Sequence, residues 1–202
     1  MNHYFTNNKN LKSDINKISV IVLGKSYSLF TDNGVFSKKA LDFGTRLLIE
    51  SLPLPEMSGK VLDVGCGYGP IGLFVKSETD CEVDMVDINL RALHLAKIGA
   101  RHNHLSVNIY ESDAYSNVKP SYDYIITNPP IRAGKEKVYE ILMGASDFLT
   151  SKGQLWFVMR KNQGVKSTLV DMGKCYNVSI KKKDKGFYVV CATKKEKIVD
   201  ND

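Results

Sequence analysis

Apolar runs of strand length recur along the chain from Lys60 onward, and the first five alternate with helical stretches. The runs are VLDVG, EVDMVD, VNIYE, YDYIITN, GQLWFVM, YNVSIK and GFYVVCAT. A strand that is apolar throughout is buried on both faces, and such strands separated by helices are typical of βαβ units. The alternation therefore predicts a mostly parallel sheet with helices packed on both of its faces.

The last two runs are separated only by KKKDKG, which predicts an antiparallel hairpin at one edge of the sheet. The expected fold class is thus α/β, a doubly wound, seven-stranded, mostly parallel sheet with an antiparallel C-terminal hairpin. Upstream, ISVIVLGKSYSLFT predicts two short strands about Gly24 and Lys25, a short N-terminal β extension. Ser37 is expected to cap a helix that carries apolar residues between Ala40 and Leu48.

The composition predicts one domain with small appendages, because 202 residues and 43% hydrophobic content suffice for a single core. The expected division is a polar segment with short strands at 1–30, one α/β domain at 31–195 and a polar tail at 196–202. No apolar run approaches the roughly 20 residues of a membrane span, and the N-terminus has no signal core, so a cytoplasmic protein is expected. The four cysteines show no CxxC spacing, which favours reduced thiols and no metal.

The segment DVGCGYGPIG follows the first parallel strand and opens a helix. Glycines at 65, 67 and 69 allow a sharp turn and a close approach of the backbone to a ligand. Asp87 ends the next strand, where a carboxylate can accept from both hydroxyls of a ribose. This combination predicts a nucleotide site rather than a tight turn alone.

The same loop matches the dinucleotide pattern, but two of its residues favour a different ligand. Asp63 lies just before the glycines, where its charge would repel a pyrophosphate and attract a cation. Pro70 removes one of the N–H groups that a pyrophosphate could use. An adenosine that carries a cationic amino-acid sulfonium, S-adenosylmethionine, suits the loop better than NAD. Asp113, after the third strand, is placed either to accept from an adenine amino group or to cap a helix.

The segment YDYIITNPPIRAGK predicts a rigid loop that presents Asn128 at the end of a buried strand. The Asn128 side-chain oxygen and the Pro129 carbonyl can each accept a hydrogen bond from an amino group and fix it in line with an electrophilic methyl. An exocyclic amine loses its proton readily once methylated, so no strong general base is required, and the sequence shows none beside the loop. Carbon-5 methylation of a pyrimidine is disfavoured, since no cysteine accompanies the loop.

Together with GVFS, VDIN and SDAY, these two motifs resemble class I methyltransferases of the ribosomal RNA small-subunit methyltransferase C type. The resemblance covers about residues 30–195 and identifies 31–195 as a methyltransferase domain. It implies methylation of a guanine N2 amine in 16S rRNA, with S-adenosylmethionine as cofactor and ribosomal RNA or the 30S subunit as partner. Its cofactor site comprises Phe36, Asp63, Gly65, Cys66, Gly67, Gly69, Asp87, Ile88, Asp113, Ala114 and Asn128.

The resemblance also implies an acceptor site. Asn128, Pro129 and Pro130 would grip the guanine amine, and the substrate side comprises Phe36, Ile131, Arg132 and Lys135. Related enzymes often carry an aromatic residue after the prolines, whereas this chain has Ile131, so stacking on the base is expected from elsewhere, with Phe36 a candidate. Longer members of the family have a preceding methyltransferase-like domain, and no counterpart of it is expected in these 202 residues.

Three further readings stay open from the sequence alone. Asn-Pro-Pro loops also serve adenine N6 and the glutamine amide of translation factors, and the fold could persist in a non-catalytic RNA-binding or assembly factor. Basic residues beside the loop and at the end of the fifth strand, Arg132, Lys135, Lys137, Arg160 and Lys161, are candidates for RNA phosphates, in keeping with the net charge of +6. Lys181, Lys182, Lys183 and Lys185 are expected to guard a sheet edge instead.

Overall fold

The computed structural model describes residues 12–35 and 40–195, which form two β-sheets and five α-helices. Ser37, Phe36 and the expected tail at 196–202 lie outside these ranges. The strands are β1 (Asn16–Val22), β2 (Lys25–Thr31), β3 (Lys60–Val64), β4 (Glu82–Asp87), β5 (Asn108–Glu111), β6 (Tyr122–Thr127), β7 (Leu149–Arg160), β8 (Tyr176–Asp184) and β9 (Phe187–Lys194). The helices are α1 (Phe43–Ile49), α2 (Pro70–Glu78), α3 (Leu90–His102), α4 (Lys135–Phe148) and α5 (Val165–Met172). None of these five helices is long and apolar enough to cross a membrane.

The central sheet has the strand order β5-β4-β3-β6-β7-β9-β8. Strands β3 to β7 pair in parallel, whereas β9 pairs antiparallel with both β7 and β8. The doubly wound, seven-stranded fold with an antiparallel C-terminal hairpin is therefore confirmed. The strand order reverses between β3 and β6, and in such sheets ligands bind beyond the carboxyl ends of the strands at that point.

The sheet separates two apolar layers, as continuous apolar strands require. Consecutive residues of β6 show this directly, because Ile125 and Ile126 are both fully buried but belong to different layers. One layer packs beneath α1, α2 and α3, and the other beneath α4 and α5. Successive side chains of a strand point to opposite faces, so each layer receives every second residue.

The two N-terminal strands pair antiparallel in a separate hairpin about Gly24, as the sequence predicts. Val20, Val22 and Leu29 are buried and belong to the layer beneath α3. The Asn103 side chain fixes the hairpin to the end of α3, accepting from Ser28 N at 3.2 Å and donating to Ser28 O at 2.7 Å. The extension is thus part of the domain's packing.

The first helix begins later than the sequence suggests. The expected start at Ser37 is wrong, because Ala40 to Asp42 are not helical and α1 begins at Phe43. Asp42 is the capping residue, and its Oδ2 accepts from Thr45 N at 3.0 Å. A carboxylate at this position satisfies one of the unpaired N–H groups of the first turn. This start places Asp42 and Thr45 at the N-terminal end of α1, within hydrogen-bond distance of Asn128, the residue that follows β6.

Candidate active site

The carboxyl ends of β3, β4 and β6 open into one cavity of about 550 Å³. Its position beside the reversal between β3 and β6 is where the topology predicts a ligand. The volume lies in the range typical of small-molecule sites, roughly 300–1,000 Å³. Predicted site residues that line it are Gly65, Cys66, Gly67, Asp87, Ile88, Asp113, Ala114, Asn128, Pro129, Pro130, Ile131 and Arg132.

Other predicted site residues lie elsewhere. Asp63 and Gly69 are buried and do not line the cavity, and Lys135 lies outside it, with its ammonium 4.8 Å from the centroid of the Tyr139 ring. Phe36, expected over the cofactor, falls outside the described residues. A second depression of about 690 Å³ beside β5, lined by Lys97 and Arg101 among others, contains no residue of either motif.

The glycine loop between β3 and α2 leaves its inner surface bare. Gly65 and Gly67 have φ angles of +69° and +57°, and a Cβ added to either would meet no protein atom within 4 Å. The left-handed backbone disfavours other residues at both positions, and both glycines line the cavity. Cys66 N donates to Val86 O at 2.9 Å and so ties the loop to β4. The loop is therefore held in place and leaves room for a ligand to approach its backbone closely.

The Asp87 carboxylate joins this loop to the start of α3. Oδ2 accepts from Gly67 N and Oδ1 from Asn89 N, both at 2.8 Å. Ile88 N also donates to this carboxylate, and the lone pair that remains can accept from a ligand hydroxyl. Burial raises the pKa of Asp87, and the hydrogen bonds from Asn89 and Gly67, which lower this pKa, offset the rise only in part. The result is a rigid acceptor at the wall of the cavity.

Asp63 lies beneath the loop, and its side chain is fully buried. Oδ2 accepts from Gly72 N at 2.8 Å, while Oδ1 has no hydrogen-bond partner among the described residues. Burial, and then the charge of Asp87, raise the pKa of Asp63 to about 7. A buried carboxylate oxygen without a donor is costly, and a cation above it would offset part of that cost.

The Asn128 amide is held in one orientation by α1. Its Nδ2 donates to Thr45 Oγ1 at 2.9 Å and to Asp42 Oδ2 at 3.3 Å. Because a carboxylate only accepts, the amide nitrogen must face Asp42, whatever the assignment of the two amide atoms. Oδ1 accepts from no residue in the described ranges, so it is left to a ligand donor. A carboxylate therefore does lie beside the loop, although it is already occupied by Asn128 and Thr45.

The prolines after Asn128 make a tight turn at the end of β6. Pro130 has φ −75° and ψ 80°, and Ile131 N donates to Pro129 O at 2.9 Å, as in an inverse γ-turn. One lone pair of the Pro129 carbonyl is thus used within the protein, and the other remains for a ligand. Thr127 Oγ1 donates to Val64 O at 2.8 Å and locks the ends of β6 and β3 together. The amide of Asn128 is therefore held at a fixed place relative to the glycine loop.

The rim at Asp113 carries an ion pair. Lys137 Nζ lies 2.8 Å from Asp113 Oδ1 and 2.6 Å from Glu140 Oε2, with the Asp113 side chain 52% exposed. Lys137 is therefore already paired with two carboxylates of the protein, whereas the sequence suggested it for RNA phosphates. Asp113 lines the cavity but is exposed, in contrast to Asp87.

Several cavity residues were not found from the sequence. Asp42, Thr45, Gln163 and Phe187 all line the cavity, and Arg160, suggested only for RNA, lines it as well. Phe187 begins β9 and pairs with Arg160 at the end of β7, whose guanidinium carbon lies 5.1 Å from the centroid of the Phe187 ring. Only one sequence signal could have pointed to Asp42: an aspartate at this position, just before a helical run of apolar residues, is a typical N-cap.

Comparisons with known proteins give a consistent result. A family model described as Methyltransferase small domain matches residues 26–191. The chain is 42% identical over 197 residues to uncharacterized protein YbxB of Bacillus subtilis (strain 168), covering 95% of this chain and 98% of that protein. It is 32% identical to ribosomal RNA small subunit methyltransferase C of Colwellia psychrerythraea over 89% of this chain, but over only 51% of that protein.

A solved structure shows the same architecture. The 16S rRNA N2 methyltransferase RsmC of T. thermophilus, in complex with AdoMet and guanosine, superposes with a TM-score of 0.82 at 25% identity, covering 92% of this chain and 52% of that one. The chain thus spans about half the length, or less, of the rRNA methyltransferases that it matches; the share is 38% for the enzyme of Psychromonas ingrahamii, at 40% identity over 133 residues.

Proposed function

The chain belongs to the methyltransferase small domain family, and we propose that it methylates the N2 amine of a guanine in 16S ribosomal RNA. The family membership confirms the class of enzyme that its motifs resemble. The proposal is supported by the relatives that are rRNA methyltransferases and by the guanosine complex of the T. thermophilus enzyme. The single observation that carries it is the Asn128 amide, whose nitrogen is bound to α1 and whose oxygen is left for an amine.

The methyl donor is S-adenosylmethionine. The donor side of the cavity fits it: the open backbone at Gly65 and Gly67 leaves room for the methionine part, and Asp87 can accept from a ribose hydroxyl. Asp63 provides negative charge beneath a cationic ligand. When bound, the cofactor supplies an electrophilic methyl group on a sulfonium, and all other steps fall to the protein's own residues and the acceptor.

The acceptor side positions the amine. Asn128 Oδ1 and the second lone pair of the Pro129 carbonyl would each accept from one N–H of the acceptor, which turns the nitrogen lone pair toward the methyl group. Such positioning can lower a barrier by roughly 7–11 kcal/mol. Methyl transfer leaves the amine nitrogen cationic, and this nitrogen then releases its proton to solvent. No residue need remove the proton beforehand, which agrees with Asp42 being occupied by Asn128 and Thr45.

Phe187 would supply the stacking surface that Ile131 cannot. Its ring lines the cavity, half-buried, and packs against Phe43 with centroids 5.5 Å apart. Gly44 makes this position possible, since a Cβ there would lie 2.8 Å from Phe187 Cε1. A base that is flipped out of an RNA helix loses its stacking partners, and an aromatic side chain in the pocket can replace them.

Replacing Phe187 with alanine is expected to raise the KM for RNA by about 5- to 100-fold, since stacking of one base contributes roughly 1–3 kcal/mol. The KM for S-adenosylmethionine should change little. Phe187→Tyr keeps the ring and should stay within about threefold of wild type. Steady-state kinetics on a 16S rRNA transcript measure both constants, and an unchanged KM for RNA in Phe187→Ala would place the stacking elsewhere.

The test of the proposed function is transfer of radiolabelled methyl from S-adenosylmethionine to 16S rRNA, 30S subunits, DNA and a release factor, assayed side by side. Digestion to nucleosides should place the label in N2-methylguanosine. Label in N6-methyladenosine or in protein glutamine would keep the enzyme class and discard the acceptor. Cofactor binding without any transfer would favour a non-catalytic RNA-binding factor.

Asp63 predicts how stability depends on pH. Its pKa is raised from 3.8 to about 7 in the folded protein, so between these values the folded state binds more protons than the unfolded state. The free energy of unfolding of the cofactor-free protein should therefore fall as the pH rises from about 4 to 7, by up to about 4 kcal/mol, and then level off. Denaturant unfolding of wild type and Asp63→Asn measures this, because the difference between the two should shrink toward pH 4. Parallel pH profiles would show that Asp63 keeps an ordinary pKa.

A further inference from the structure

The turn that joins β8 and β9 ends beside the mouth of the cavity. Lys161 N donates to Gly186 O at 2.8 Å, which ties this turn to the end of β7. Phe187, the first residue after the turn, lines the cavity, and Lys185 Nζ lies 4.7 Å from the centroid of the Phe43 ring. Lys185, the lysine of the turn, is thus a neighbour of the acceptor side of the site.

A β-bulge brings two of the hairpin's lysines to one face. The register between β8 and β9 shifts between Ile180 and Lys182, so Lys181 is the extra residue. Lys182 pairs with Val189 and shares its face, the one covered by α1. Lys181 lies on that face too, with its ammonium 5.9 Å from the centroid of the Trp156 ring. In a regular strand the side chains of Lys181 and Lys182 would point to opposite faces of the sheet. A β-bulge commonly changes the direction of a side chain, and here it brings both lysines to the same face.

The resulting basic strip consists of Lys181, Lys182, Lys185 and Arg160, and it runs for about 13 Å along the hairpin to the cavity. Two of its lysines and Arg160 lie over aromatic rings, which limits their freedom before any ligand binds. The three lysines are exposed and take part in none of the ion pairs found among the described residues. Asp184 is the only acidic residue of the hairpin, Tyr176–Lys194.

We propose that this basic strip binds the sugar–phosphate backbone of the RNA that flanks the target nucleotide. The inference rests on the proposed function for the identity of the polyanion. Edge lysines that only guard against aggregation need no common face and no continuity with a binding cavity. A chain of phosphates needs both, because successive charges must be met while one base reaches the pocket.

The test compares two triple variants with the same change of net charge. One is Lys181→Glu, Lys182→Glu and Lys185→Glu; the control is Lys97→Glu, Lys119→Glu and Lys152→Glu, at exposed positions on α3 and before or early in β6 and β7. A fluorescently labelled 16S rRNA transcript is the probe, and Kd is measured by anisotropy at several salt concentrations. Thermal unfolding and S-adenosylmethionine binding serve as measures of intact structure.

The hairpin variant is expected to bind RNA about 10- to 100-fold more weakly than wild type near 100 mM salt. The slope of log affinity against log salt should become shallower by about two to three, whereas the control should stay within about threefold of wild type. Equal weakening in both variants would overturn the inference, since net charge alone would then explain the loss, and so would wild type that does not bind RNA.

This outcome is independent of that for the proposed function. A wild-type enzyme that produces N2-methylguanosine while the hairpin variant binds RNA normally would contradict only the basic strip. RNA binding that depends on the strip without any methylation of guanine would contradict only the proposed reaction.

Discussion

Replacing Asn128 with alanine is expected to lower the rate of methyl transfer by about 10²- to 10³-fold. The variant removes the oxygen that orients the acceptor amine, and the loss of one well-placed hydrogen-bonding group at a reacting centre typically costs 10²–10³-fold or more. Although the resemblance places Asn128 beside the cofactor as well, cofactor binding should largely persist, because Gly65, Gly67 and Asp87 lie at the ends of other strands. Single-turnover assays with saturating RNA and cofactor isolate the chemical step from binding.

A structural loss must be separated from a catalytic one in this experiment. Asn128→Ala also deletes the hydrogen bonds to Thr45 and Asp42, which should reduce the free energy of unfolding by about 1–3 kcal/mol. Thermal unfolding and calorimetric titration with S-adenosylmethionine therefore accompany the kinetics. Asn162→Ala, an exposed residue after β7, is the matched control and should transfer methyl at the wild-type rate. Substantial transfer by Asn128→Ala would mean that another group holds the amine.

The second large effect is expected at Asp87. In Asp87→Asn an amide nitrogen replaces one carboxylate oxygen, and it must then face the N–H of Gly67 or of Asn89, both of which donate. The variant loses a charged acceptor for the ribose and loosens the glycine loop as well. With hydrogen bonds to charged groups at about 1.5–3 kcal/mol each, the Kd for S-adenosylmethionine should rise by at least about 100-fold.

Asp113→Asn is the matched control for this substitution. Its side chain is about half exposed and paired with Lys137 at the rim, so its contribution to binding is screened by solvent. We expect its Kd to rise by less than about tenfold, as measured by the same calorimetric titration. Similar losses in both variants would show that the two carboxylates share the ligand equally, contrary to the assignment of Asp87 to the ribose.

The sequence predicted the fold because local rules and global packing agree over most of the chain. The runs around Ile125 and Ile126 are apolar on both faces, which only a sheet covered on both sides can accommodate. The glycine loop was equally predictable from the sequence, since a left-handed backbone, as at Gly65 and Gly67, strongly favours glycine.

The partners of Asn128 could not be predicted in the same way. Asp42 and Thr45 are more than 80 residues away in sequence and reach Asn128 only because α1 packs on β7 and β9, and β7 is the neighbour of β6 in the sheet. Capping rules allowed both Ser37 and Asp42, and nothing local favours the second. The position of Phe187 could not be predicted either. It depends on the antiparallel pairing of β9 with β7, which sets Phe187 opposite Arg160, and on the absence of a side chain at Gly44 of α1.

The hydrogen bond from Thr127 to Val64 marks a seam between two halves of the sheet. The ends of β3 to β5 carry most of the residues proposed for the cofactor, while those of β6, β7 and β9 carry the residues proposed for the acceptor. Mutations that change one half need not disturb the other, provided that the seam stays closed. Such a division would allow the acceptor half to be redesigned by substitution while the donor half keeps its cofactor.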